Sequence, residues 1–139
     1  MTFTLSDAEH RALLSAAGWF LPPSDKYPTF AVADPDNAVL ALVLEQLEPL
    51  EDEIRAVLAG VPDEGVEGNM TALEESSPEQ FEILRTLCLG WYFTCRPVWN
   101  VLGYTGRRPV PIGAGEAEQY LSGGILDAVI QRGKIYRPA

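Results

Sequence analysis

Residues 77–106 read SPEQFEILRTLCLGWYFTCRPVWNVLGYTG. The first four are the clearest helix start in the chain. Ser77 is placed to cap, Pro78 to take the first helical position, and Gln80 to reach back from the third. The helix they open is predicted to run to about Thr94. Its early turns set Glu79, Glu82 and Arg85 against Phe81 and Leu84, an amphipathic pattern. Between Arg85 and Arg96 there is no charged residue, so the second half of this helix has no charged face. A short helix over Arg96–Leu102 is predicted next, with Pro97 first and Gly103 just past its end. From Gly103 to Gly115 the helical period stops and no strand period replaces it, yet aromatic residues continue into this segment. Surface loops are ordinarily polar. A loop rich in apolar rings needs the domain's own core or another protein to lie against.

Upstream, Ser6-Asp7-Ala8-Glu9 has the form of a capping box. It opens a helix with Ala12, Leu13, Ala16, Ala17 and Phe20 at helical spacing, ended by Leu21-Pro22-Pro23. Residues 22–35 are predicted to be loop, with Tyr27 and Phe30 folding back onto the core. Asp36 or Asn37 is expected to cap a second helix, whose run Ala38–Leu44 is apolar on every side. Pro49 should kink or break that helix. Leu50, Ile54, Val57 and Leu58 then continue at helical spacing to Gly60. Residues 61–70 read as an acidic loop and 69–75 as a short helix. A last helix over 116–131, with a possible break at Gly123-Gly124, precedes the tail Lys134–Ala139. The expected fold is all-α: one small irregular domain over 1–139, with about five to six helices, a Gly/Pro-rich aromatic segment and a C-terminal tail.

Composition narrows the function. The chain has 139 residues, 47% of them hydrophobic and 22% charged, which fits a single globular domain that needs neither disulfides nor metal to fold. A formal charge of −10 argues against nucleic acid as a partner. The longest strictly apolar run is seven residues, too short to span a membrane. No export signal is evident at the N-terminus, so a cytoplasmic location is expected. Charge is unevenly placed. Residues 1–84 carry three basic and 17 acidic residues, while 85–139 carry seven basic and three acidic ones. Solvated helix faces account for the acidic part. The sharper alternative is a basic, aromatic half that meets an acidic partner.

Motifs for catalysis are absent from the sequence. His10 is the lone histidine, with no cysteine near it in sequence to complete a metal site. Cys88 and Cys95 lie two helical turns apart, too far to bridge on one continuous helix, and their spacing is not that of a redox pair. They read as buried thiols. Asp34-Pro35-Asp36-Asn37 begins like a calcium loop, but Val39 stands where that loop needs glycine, so a helix cap fits better. Gly113-Ala114-Gly115 has neither a preceding strand nor a third glycine, since that position is Glu118. The sequence has no GxSxG, P-loop or HExxH motif.

The segment Gly90–Gly106 resembles the gluconate 2-dehydrogenase subunit 3 family, through Phe93-Thr94, Val98-Trp99 and Leu102-Gly103-Tyr104-Thr105-Gly106. Leu5-Ser6-Asp7-Ala8-Glu9, the ending Phe20-Leu21-Pro22 and Ser76-Ser77-Pro78-Glu79-Gln80-Phe81 are similar to other parts of that family. Many members open with a twin-arginine signal, which this chain lacks, and the basic tail after Ile112 has no counterpart in the family pattern. The resemblance implies a non-catalytic small subunit in a hetero-oligomer. Its partner would be a large FAD-dependent sugar or alcohol oxidoreductase of the glucose–methanol–choline class, which would hold the flavin and the catalytic residues. No cofactor is expected in this chain. The expected partner-binding residues are Trp91, Tyr92, Phe93, Trp99, Leu102 and Tyr104, which supply apolar area, and Arg96, Arg107 and Arg108, whose guanidiniums suit carboxylates. Trp91 and Trp99 have core positions as their alternative. For the chain as a whole, the alternatives are a stand-alone thiol-dependent helical enzyme and an adaptor for an unrelated partner.

Overall fold

The computed structural model describes residues 3–109, 111, 113–124 and 126–133. They are helical, with no strand among them, and the chain forms two compact units, Met1–Thr105 and Gly106–Ala139.

The first unit is built around one helix. In chain order it contains α1 (Asp7–Phe20), α2 (Phe30–Ala33), α3 (Ala38–Gln46), a 3-10 turn (Glu48–Leu50), α4 (Glu51–Ala59), α5 (Val66–Ser76), α6 (Pro78–Thr94) and α7 (Arg96–Leu102). Helix α6 packs against α1, α3, α4, α5 and α7, and α1 packs in turn on α4 and α5. Phe81, Leu84, Leu87, Cys88 and Trp91 supply the buried side of α6. Each fully buried large side chain among them contributes about 1.5–3 kcal/mol relative to exposure. Across from it α1 buries Ala12, Leu13, Ala16 and Ala17. Three of those four are alanines, and small side chains at a contact let helix axes approach closely. Ile54, Val57 and Leu58 of α4, Met70 of α5, Leu40 and Leu44 of α3 and Val98 of α7 extend the core.

The start of α1 forms as its sequence predicts. Glu9 N donates to Ser6 Oγ, and Ser6 N donates to Glu9 Oε2 at 2.7 Å. Glu9 also holds the Arg55 guanidinium of α4 at 2.7 Å, so the box doubles as a clamp between two helices. Pro49 separates α3 from α4 as expected, within the 3-10 turn.

Several boundaries differ from expectation. There are nine α-helices among the described residues rather than five or six. Residues 30–33 wind into one helical turn, and α5 begins at Val66, because Gly65 takes a left-handed conformation (φ 68°) that turns the chain into the helix. Ser77 stands at the start of α6 without a side-chain capping bond. Neither Asp36 nor Asn37 caps α3 through its side chain. Asn37 occupies the cap position with left-handed backbone, and Asp34 supplies the carboxylate from three residues upstream.

In the second unit the predicted last helix is divided at the expected break into α8 (Glu116–Ser122) and α9 (Asp127–Arg132). Gly123 and Gly124 end the first, and Gly124 takes φ 74°. The predicted tail Lys134–Ala139 lies outside the described residues.

Candidate functional site

Two neighbouring features of the first unit hold most of the residues singled out from the sequence. One is a buried polar knot beneath α3 and the other is an apolar groove at the α6–α7 elbow.

Asp34 is the centre of the knot and is only 5% exposed. Its Oδ1 accepts from Val39 N at 3.1 Å, and its Oδ2 accepts from Leu40 N at 2.9 Å and from Trp91 Nε1 at 2.8 Å. Burial alone would raise this carboxyl's pKa. The donors of Leu40, Val39, Trp91 and Ala38 outweigh it and hold the group below the usual aspartate range. A carboxylate facing the start of α3 also complements the helix dipole. Trp91, expected as an interface anchor, is therefore a core residue. It is 1% exposed, its ring lies 4.3 Å from that of Phe30, and its indole N–H is held by Asp34.

Tyr92 is also buried, which corrects its assignment as a surface anchor. Its hydroxyl donates to Pro28 O at 2.8 Å and pins the proline-rich loop against α6. Desolvation raises its pKa.

The elbow follows directly. Cys95 adopts extended backbone (φ −71°, ψ 129°), so α6 stops and Pro97 opens α7 in a new direction. Gly103, left-handed at φ 71°, ends α7. This bend carries Phe93 and Leu102 to the rim of a groove with a volume of about 420 Å³. Leu14 and Phe20 of α1 line one side and Pro22, Pro23, Tyr27 and Pro28 another, while Phe30 and the ring of Tyr92 also contribute. Phe93 and Leu102 are 46% and 48% exposed. Trp99 is half-buried and donates from Nε1 to the carbonyl of Phe93. Tyr104, 49% exposed, meets Trp99 edge to face at 5.1 Å between ring centroids. The Arg96 guanidinium sits 5.7 Å from the Trp99 ring centroid. Arg107 and Arg108 are exposed and belong to the second unit.

Seven of the nine expected partner-binding residues thus fall at or next to the elbow. Five of them, Phe93, Arg96, Trp99, Leu102 and Tyr104, reach the surface of the first unit. Tyr27 and Phe30 fold back onto the core as expected, but that they form the far wall of a groove with Leu14 and Phe20 was not anticipated. The wall's sequence signals were Leu14, which lies off the buried stripe of Leu13, Ala16 and Ala17, and the aromatic residues spaced among prolines over 20–30.

The thiols are placed for packing. Cys88 and Cys95 are both free and buried, and Cys95 Sγ donates to Trp91 O at 3.2 Å. Desolvation pushes Cys88 up to about 12; desolvation and the nearby Asp34 charge push Cys95 up to about 11. Such thiols are not nucleophilic near neutrality. Among the described residues, no group of three or more His, Cys, Asp and Glu side chains could hold a metal ion, and no helix is long and apolar enough to cross a membrane.

Comparison with protein families, curated proteins and solved structures gives no match for this chain.

Proposed function

We propose that the chain is a non-catalytic small subunit that docks, through the α6–α7 elbow, on a large FAD-dependent sugar or alcohol oxidoreductase and stabilises it. The observation that carries the reading is the run of exposed apolar residues at the elbow, Phe93, Val101, Leu102 and Tyr104, of which Phe93 and Leu102 line an apolar groove. Large apolar side chains grouped at the surface are characteristic of interaction sites, whereas single scattered ones are not. The kind of partner comes from the Phe93–Gly106 resemblance. The flavin and the reacting groups belong to that partner, and this chain contributes shape and apolar area.

Purifying the tagged full-length chain from its source cells tests the proposal. The expected product is a complex with a larger chain that shows the absorbance of oxidised flavin and oxidises a sugar or alcohol. A chain recovered as a monomer, free of any flavoprotein, would overturn the reading.

A further inference from the structure

We infer that the groove and the adjoining elbow form one docking surface for a segment of the large subunit that presents a bulky apolar side chain with a carboxylate beside it. This rests on the flavin-partner reading and adds what that partner must offer.

The charge argument comes from the arginines. The first unit carries five basic and 17 acidic residues. Three of its four arginines hold carboxylates: Arg11 with Asp63 at 3.9 Å, Arg55 with Glu9 at 2.7 Å and Glu51 at 2.8 Å, and Arg85 with Glu82 at 2.6 Å. Arg96 is the exception. Among the described residues no carboxylate comes within ion-pair distance of it, although this unit is rich in acids. It lies instead over Trp99, whose indole is bonded to the carbonyl of groove residue Phe93. A guanidinium with no carboxylate partner among the described residues, stacked on the Trp99 ring that adjoins the groove through Phe93, is complementary to a partner carboxylate, because a forked ion pair is strengthened where apolar contacts exclude water.

The extent of the surface favours a protein over a small molecule. A volume of about 420 Å³ suits a compact ligand. However, the apolar surface continues past the groove onto Trp99 and Tyr104, which do not line it. A second copy is the weaker candidate because each copy carries −10.

Gly18 allows a clean test. It lines the groove on α1, and a Cβ built there meets no atom within 4 Å. Gly18→Leu should fill the groove while leaving the melting temperature unchanged or raised, since glycine is a poor helix residue. Full-length chains carrying Gly18→Leu, Arg96→Glu or Arg96→Lys are compared with wild type for retention of the flavin chain across a salt series. The expected result is about tenfold or greater loss for Gly18→Leu and for Arg96→Glu, with Arg96→Lys in between. Salt should weaken the wild-type complex and, because it screens the like-charge repulsion that Arg96→Glu introduces, should narrow the gap between that variant and wild type.

Wild-type retention by both Gly18→Leu and Arg96→Glu would overturn the inference and leave the flavin-partner reading standing. A wild-type chain that retains no flavin chain would remove that reading and the inference together. Sedimentation showing self-association that Gly18→Leu abolishes would assign the groove to a second copy and overturn the inference.

Discussion

Replacing Asp34 by alanine would take the acceptor from three buried or part-buried donors at once. Val39 N and Leu40 N would lose the cap of α3, and Trp91 Nε1 would be left inside the core without a partner. Loss of a side-chain cap costs about 1 kcal/mol. An orphaned buried donor adds about 1–3 kcal/mol. The expected destabilisation is therefore about 3 kcal/mol, a large share of the 5–15 kcal/mol typical of a domain. Equilibrium urea unfolding followed by tryptophan fluorescence measures it. The double-mutant cycle with Trp91→Phe should return a coupling of about 1–2 kcal/mol, because the two changes share one hydrogen bond. Acid supplies an independent check. The folded pKa of Asp34 lies below its unfolded value, so protonation favours the unfolded chain. The stability due to its charge is complete above the unfolded pKa, about 3.9, and is lost as pH falls through the folded value. The gap between wild type and Asp34→Asn should accordingly narrow below about pH 4. A cost under about 1 kcal/mol for Asp34→Ala, or a gap that stays constant into acid, would refute the account of this site.

Other changes have smaller or opposite expected effects. Native Cys88 and Cys95 should resist a thiol-reactive disulfide reagent at neutral pH and react only on unfolding, given thiols pushed to about 12 and about 11; fast labelling of the folded chain would reopen the thiol-enzyme alternative. Gly103→Ala should lower stability by about 1–2 kcal/mol through its left-handed backbone alone, since a Cβ there meets nothing within 4 Å; urea midpoints measure this. Phe93→Asp with Leu102→Asp should change the isolated chain's stability by no more than about 0.5 kcal/mol per site while reducing binding of a hydrophobic dye, because both residues are half exposed. A large loss of stability from that pair would show that the elbow belongs to the core.

The helical class, the ends of α1, the break at Pro49 and the start and stop of α6 and α7 were legible because each is a local event. A capping box, a proline or a left-handed glycine acts over one turn of chain, and sequence displays it directly. Asp34 was not legible as the cap of α3. Asp36 and Asn37 stand closer to the helix and are equally good capping residue types, and only the turn through Pro35 brings the more distant carboxylate onto the amides of Val39 and Leu40. Its third donor is 57 residues away in sequence, and no local pattern encodes that meeting. The groove was half legible for the same reason. The elbow side lies in one continuous segment, and the return of Tyr27 and Phe30 to the core was foreseen, but that this return meets Leu14 and Phe93 to form a groove depends on contacts such as Tyr92 to Pro28 O, distant in sequence.

Trp91 and Trp99 show why composition alone could not separate core from surface. Both are tryptophans in an uncharged aromatic run, eight residues apart. On one unbroken helix they would lie within roughly 80° of each other, eight residues being a little over two turns. Had α6 continued, both would have faced the core. Cys95 leaves helical backbone between them, and α7 departs at an angle, so the first ring is sealed against Asp34 and Phe30 while the second stays at the surface with Arg96 and Tyr104. A break at this point costs the last turn of α6 some of its hydrogen bonds and leaves apolar area in water. The break serves the core in part, because α7 buries Val98 and packs on α6 and α2, but that packing gives no role to the apolar area left exposed at the elbow. A partner that covers the elbow supplies a reason for it, which is why the test of the groove through Gly18, where the fold itself should be untouched, separates the two explanations most sharply.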